Sequence, residues 1–354
     1  MLSSKNKIII ACAGAGKTNY LVETALGLTQ KKVLISTYTD ENLINIRKIF
    51  IDKIGYVPAN INIQSWFSFL LQEGVRPYQN HMVDVKRIRT ICFQDEKTCY
   101  LRKNNYLTKS NDIYKNKVSE FAYECNKITG GLVLNRLEKI YDYIFIDEFQ
   151  DFAGYDLNLL ESLFNVSINI IAVGDPRQTT FSTNNSRKNK QHRKEKIYSW
   201  VKKKEQEKLI SIEEIKKSYR CNQIICDFAD ELFCDLPKTV SKNKTITGHD
   251  GIFFISKRKT EINVYVETYK PIILRYNRTS NTLGFDAINI GLSKGNTYDR
   301  VLIFPTKPML EYLKTRDISC VGDKSKLYVA VTRARYSVAF AVDDEILIES
   351  KIMY

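Results

Sequence analysis

The sequence predicts an α/β protein built on parallel sheets, and three observations carry that reading. Short, β-branched apolar runs alternate with helical stretches, the pattern of strands buried on both faces of a sheet. One such run, Ile8–Ile10, leads into Ala11-Cys12-Ala13-Gly14-Ala15-Gly16-Lys17-Thr18. Another, Tyr143–Ile146, delivers Asp147 and Glu148 at its end. Loops that handle phosphate belong at the carboxyl ends of such strands.

Further strands are predicted at Val33–Ser36, Ile61–Ile63, Ile168–Val173, Gly251–Ile255, Ile272–Arg275, Ala287–Ile290, Val301–Phe304 and Ser337–Val342. Between about 71 and 131 the strand signal disappears and charge rises. Lys86–Phe93 and Val118–Ile128 there read as helices, so the segment is expected to be a small helical insertion. The expected division is 1–70 with 132–212 as a first α/β domain, 71–131 as the insertion, and 213–354 as a second α/β domain. A length of 354 residues accommodates two cores.

Composition narrows the classes. No apolar run approaches the ~18 residues of a membrane span. Eight cysteines without a C-x-x-C pair, beside three histidines, argue against structural zinc and for free thiols in a reducing cytoplasm. Lys5, Lys7 and the isoleucines imitate a signal peptide, but the apolar stretch is shorter than the ~7–15 residues required. The net charge of +14 points to a polyanion partner, although A/T-rich coding produces the same lysine excess. Residues 187–208 hold ten Lys/Arg against three Glu. That stretch, around Lys202-Lys203-Lys204, is either solvated or a phosphate-tracking surface.

The glycine-rich turn carries specific chemistry. Consecutive backbone N–H groups at a helix N-terminus favour anions, and Gly14 and Gly16 remove the Cβ that would block phosphate. Residues Ala11 to Thr18 thus read as a nucleotide cradle, with Lys17 on the β- and γ-phosphates and the Thr18 hydroxyl on magnesium. Asp147 would help hold the same ion, and Glu148 would orient and deprotonate the attacking water. Ile170–Val173 runs into Gly174-Asp175-Pro176-Arg177-Gln178, where Gln178 can sense the γ-phosphate.

With these motifs in order, the chain resembles superfamily 1 helicases of the UvrD/Rep/PcrA type. Tyr38-Thr39-Asp40 resembles that family's T-F-T-N segment, Ser65 to Phe69 its T-F-H-S-F, and Asp147 to Asp151 its D-E-x-Q-D box. Ser218-Tyr219-Arg220 resembles N-Y-R, Leu274 to Asn277 its short follow-on, and Ser293 to Val301 the K-G-L-E-F-D-x-V stretch. Tyr328 to Arg335 matches the last motif almost letter for letter. The resemblance runs from residue 8 to about 342 and leaves the insertion without a counterpart.

The resemblance implies two RecA-like domains with ATP and Mg2+ between them and single-stranded DNA across the top. It places Arg220 and Arg333 as arginine fingers on the γ-phosphate and Gly295 near the nucleotide. Tyr38, Thr39, Trp66, Phe67, Phe181 and Arg275 fall in or beside its DNA-facing segments. Stacking an aromatic on a base is worth ~1–3 kcal/mol and is indifferent to sequence; the competing role for Phe67 or Phe69 is core filling. The implied activity is ATP-driven 3′-to-5′ translocation or unwinding, on single-stranded or tailed duplex DNA. The alternative is a nucleotide-gated regulator of a nuclease, as compact relatives serve in phage-defence systems of the Gabija kind. An RNA motor fits the D-E-x-Q-D and Y-V-A-x-T-R-A-R boxes less well.

Departures from the family pattern are specific. Ala11 stands where a strict phosphate loop has Gly, and no upstream glutamine motif precedes the first strand. Asn289-Ile290-Gly291 replaces Thr-x-His, Thr297 replaces a glutamate, and Thr183 replaces a tryptophan. Arg275 and Lys294 lie too close together in sequence to hold the large second-domain insertion.

Overall fold

A computed structural model describes residues 5–94, 106–180, 183–184 and 188–347. The first part of the chain runs β1 (Lys7–Ala11), α1 (Lys17–Leu26), β2 (Val33–Thr37), α2 (Asp40–Ile54), β3 (Ile61–Ser65), α3 (Trp66–Phe69), β4 (Ile91–Cys92), β5 (Ile113–Tyr114), α4 (Val118–Ile128) and α5 (Leu132–Ile140). It continues with β6 (Tyr143–Asp147), α6 (Tyr155–Phe164), β7 (Asn169–Gly174), α7 (Ile197–Gln206) and β8 (Ser211–Ile215). The later part runs β9 (Lys217–Ser218), α8 (Gln223–Glu231), β10 (Val240–Ser241), β11 (Gly251–Ser256), α9 (Lys259–Tyr269), β12 (Ile272–Arg275) and β13 (Ile288–Asn289). It closes with β14 (Tyr298–Phe304), α10 (Lys307–Thr315), α11 (Lys324–Val331) and β15 (Ala334–Val342).

The chain forms two compact units. The first holds residues 1–10, 17–176 and 181–213; the second holds 11–16, 177–180 and 214–354. The first unit is organised on a sheet of order β3-β2-β6-β7-β1-β8, whose β3, β2, β6, β7 and β1 pair in parallel. Their carboxyl ends therefore share one edge, where Thr37, Ser65, Asp147 and Gly174 all fall. The second unit carries a sheet of order β11-β15-β14-β12-β13, parallel throughout. The α/β class with parallel sheets holds.

Local sequence explains the helices that flank the first sheet. Thr39 caps α2 by accepting the Asn42 N–H, Asp40 and Glu41 face the positive end, and Gly55 closes it in the left-handed region at φ 83°. Fully buried strand residues such as Ile8, Ile9, Leu34, Ile144, Ile146 and Ile170 fill the layers between sheet and helices. At roughly 25 cal/mol per Å² of apolar surface, this burial is the main stabilising term.

The 71–131 segment departs from the predicted helices. Val118–Ile128 is helical, but 86–93 forms no helix and Ile91–Cys92 pairs with Ile113–Tyr114. Tertiary bonds override local propensity there: Gln79 Oε1 accepts the Ile88 N–H at 2.9 Å, and Ile113 N–H donates to Thr90 O at 2.9 Å. Val75, Val83, Ile88, Ile113, Val118 and Phe121 are continuous with the core of the first unit. The described part of the segment is thus packed on that unit through a shared apolar interior.

The basic stretch resolves toward structure as well. Lys202 pairs with Glu205 at 3.4 Å and Lys203 with Glu207 at 3.8 Å on α7. Lys204 is 4 % exposed and sits between Glu161 at 2.7 Å and Glu207 at 2.8 Å. Each of the three lysines thus has a carboxylate partner, with Lys204 itself buried and the pairs of Lys202 and Lys203 screened by solvent.

Candidate active site

In the first unit, α1 and β6 bring Thr18 to Asp147. The Thr18 hydroxyl donates to Asp147 Oδ2 at 2.9 Å. Asp147 is buried at 1 % exposure, and burial, then the neighbouring Glu148 charge, push its pKa up to about 6. Thr18 and Lys17 act in the opposite direction and are outweighed. A hydroxyl and a buried carboxylate are hard oxygen donors, and a divalent cation would stabilise the ionised acid. The pair fits magnesium.

Glu148 follows in the left-handed region at φ 57° and ψ 40°, an uncommon conformation for a residue with a side chain. Gln150 Nε2 donates to Glu148 Oε2, and Gln150 Oε1 accepts the Asp175 N–H at 3.1 Å. Gly174 makes room for this bridge, because a Cβ there would sit 2.2 Å from Gln150 Oε1. Gln150 therefore ties the Glu148 carboxylate to the segment after β7. In sequence Gln150 is one letter of the D-E-x-Q-D box, and this bridge is visible only in the fold.

In the second unit, residues 11–16 have their backbone groups bonded to its own segments. The Cys12 N–H donates to Ile215 O at 3.0 Å and Tyr219 N–H to Gly14 O at 3.0 Å. Ser218 Oγ donates to Ala13 O at 2.7 Å, and Ala13 N–H reaches the Tyr328 hydroxyl at 3.4 Å. Gly14 lies at φ 73°, and a Cβ on it would stand 2.5 Å from Arg220 Cβ. Gly16 is also left-handed at φ 77°, and the first-turn N–H groups that follow it in α1 have no intrahelical acceptor. The close approach at Gly14 is steric evidence that only glycine fits.

Arg333 is 1 % exposed, and its guanidinium donates to Gln178 Oε1, Asn296 O and Val329 O, each at 3.2 Å. Arg220 Nη1 donates to Thr332 O at 3.1 Å. The second unit thus brings together the glutamine of one motif and the arginines of two others. Gly295 takes φ 90° and open space surrounds it. Sequence reasoning missed Arg177: buried at 2 %, it pairs with Asp230 at 3.1 Å and lies over the Tyr328 ring at 5.2 Å. Nothing local in sequence announces that pair.

The aromatic segments divide differently from expectation. Tyr38 is half-buried and meets Phe67 edge to face at 5.2 Å. Phe67 is 4 % exposed and Trp66 is fully buried, so neither presents a stacking face to a base. Trp66 Nε1 donates to Asp156 Oδ1 at 2.7 Å, as does Ser119 Oγ, while Thr183 Oγ1 donates to Asp156 Oδ2 at 2.6 Å. Thr183, where the family places a tryptophan, is an internal tie. Thr39 is the α2 cap, and Arg275 Nε donates to Asn289 Oδ1 at 3.0 Å. Phe181 lies outside the described residues.

Asp156 consequently joins α3, α4, α6 and the segment after β7 at one buried carboxyl. Burial raises its pKa against the pull of the three donors. Asp156→Ala strips the acceptor from all three. We expect a loss of about 2–4 kcal/mol of stability, read by chemical denaturation; an unchanged midpoint would mean the donors find other acceptors.

Parallel strands delivering a phosphate loop and a carboxylate pair define a phosphate-loop α/β protein. Residues 104–341 match the viral superfamily 1 RNA helicase core domain, and the chain belongs to that family. It is 26% identical over 156 residues to a probable DNA helicase II homolog of Mycoplasma capricolum subsp. capricolum, covering 43% of this chain and 20% of that protein. The arterivirus nonstructural protein 10 helicase superposes with a TM-score of 0.52 at 13% identity, over 98% of this chain and 62% of the other. Its complex with DNA gives 0.52 at 13%, over 96% and 61%. At such identity the likeness is one of fold. The chain spans a fifth of that relative's length and about three fifths of the helicases it superposes on.

Proposed function

We propose that this chain is an ATP-hydrolysing motor that steps 3′ to 5′ along single-stranded DNA. The observation that carries the reading is the contact of Thr18 with buried Asp147 at the end of β6, the donor pair a nucleotide-bound magnesium needs. Bound there, the ion supplies charge neutralisation on phosphate. Lys17 holds the β- and γ-phosphates as a point charge. Glu148, steered by Gln150, takes the proton of the attacking water. Arg333 and Arg220 stabilise charge developing on the transferred phosphoryl group, a role typically worth ~10³–10⁵ in rate. Direction and the choice of DNA rest on the resemblance to UvrD-type helicases.

For nucleic-acid contact, Tyr38, Thr39 and Arg275 remain as proposals. Hydrolysis measured with single-stranded DNA, duplex DNA, RNA and no polymer tests the reading. Stimulation by single-stranded DNA is expected; stimulation by RNA alone would replace DNA with RNA as the track. Stepping without strong unwinding is also expected. The loop from β12 to Gly291 is short and carries only β13, leaving no room for a duplex-gripping insertion. A stopped-flow translocation assay beside strand separation on a 3′-tailed duplex decides this, and efficient unwinding by the monomer would sink it.

A further inference from the structure

Away from the motifs, residues 72–87 line an open pocket of about 450 Å³, among them Gln72, Arg76, Gln79, Asn80, Lys86 and Arg87. Its walls are built by specific bonds. Buried Gln79 donates to Val85 O at 3.0 Å and accepts the Ile88 N–H. Arg76 Nε donates to Ile88 O at 3.1 Å, and Arg76 Nη2 to Arg89 O. The 83–89 segment is thereby clamped against the 3-10 helix at Arg76–His81, which carries Lys86 and Arg87 to the same mouth as Arg76.

The electrostatics of this pocket are one-sided. Three cations line it and, among the described residues, no carboxylate does. Among the described residues, none of Arg76, Lys86 and Arg87 takes part in an ion pair, whereas the lysine triplet of α7 is fully matched by glutamates. Burial, and then the charge of Arg87, lower the pKa of Arg76. Like charges held together by backbone bonds are relieved by an anion. Exposed Gln72 and Asn80 add neutral donors at the rim.

We propose that this pocket grips a backbone phosphate of the nucleic-acid strand, outside the motor motifs. The proposal rests on the reading that the chain binds a polynucleotide. A strand is favoured over a free nucleotide because two of the three pocket cations, Lys86 and Arg87, are exposed. Among the described residues, the lining also holds no glycine-rich turn of the kind that wraps a triphosphate.

The test compares the double variant Lys86→Gln, Arg87→Gln with the control Lys202→Gln, Lys203→Gln, which removes equal charge from ion-paired positions. Anisotropy titrations of a labelled single-stranded oligonucleotide across a salt series give the slope of log K against log salt. Each lost phosphate contact lowers the magnitude of that slope by about 0.7, so loss of the one gripped phosphate is expected to lower the slope of the pocket variant by about 0.7. The control slope, and hydrolysis without polymer, are expected to stay unchanged. An unaltered slope in the pocket variant overturns the proposal, as does an equal fall in the control. Retained slope with lost binding of ATP or inorganic phosphate overturns it too, assigning the pocket to a small anion. If the unmodified protein binds no polynucleotide at any salt, the motor reading falls with it, and the titration separates the two failures.

Discussion

Lys17→Ala is expected to abolish ATP hydrolysis while leaving the fold intact. The residue opens α1, where alanine is a better helix former than lysine, so no structural loss accompanies removal of the charge. What disappears is the only side-chain cation of the phosphate loop 11–18. Charge stabilisation of this kind is worth about 10²–10³ in turnover by analogy with a deleted oxyanion donor. Steady-state hydrolysis with saturating single-stranded DNA reads the effect, and circular dichroism checks the fold. Retention of half the rate would remove the phosphate-loop reading altogether.

The elements that sequence made legible are those whose cause is local. β1, β2, β6 and β7 announce themselves as short isoleucine- and valine-rich runs, because a strand buried on both faces has no polar side to show. The carboxylate pair and the glycines follow from position at strand ends. What stayed hidden depends on partners far away in sequence. Trp66 looked like a stacking surface because its acceptor, Asp156, lies 90 residues on. The helix expected at 86–93 fails because Gln79 and Arg76 supply backbone partners that no local pattern reveals.

The lysine triplet is a mixed case. Glu205 and Glu207 stand at the i+3 and i+4 spacing that favours ion pairs on a helix, so part of its neutralisation was readable. Glu161, which completes the burial of Lys204, was not. Arg177 and Asp230 make the same point within the second unit, since their buried pair joins α8 to the turn after β7. Charge counts along a sequence locate cations; only the fold says which are spent on carboxylates and which remain for a polyanion.

Arg333→Ala is expected to slow turnover at least a hundredfold, with modest change in ATP affinity, the signature of lost transition-state stabilisation. The structure adds a condition to that expectation. The guanidinium is buried and divides its donors among Gln178 Oε1, Asn296 O and Val329 O. Lysine offers no planar fork, so Arg333→Lys should recover charge but little rate. Gln178→Ala removes the acceptor of the same bond, and the double variant should then lose much less than the sum of the two single losses. Additive losses would mean that Gln178 and Arg333 act separately, and their bond would be incidental. A large fall in nucleotide affinity with unchanged turnover at saturation would make Arg333 a ground-state contact. Under the proposed mechanism neither result is expected, because the guanidinium proposed to stabilise the transition state is held in place in part by the Gln178 amide oxygen.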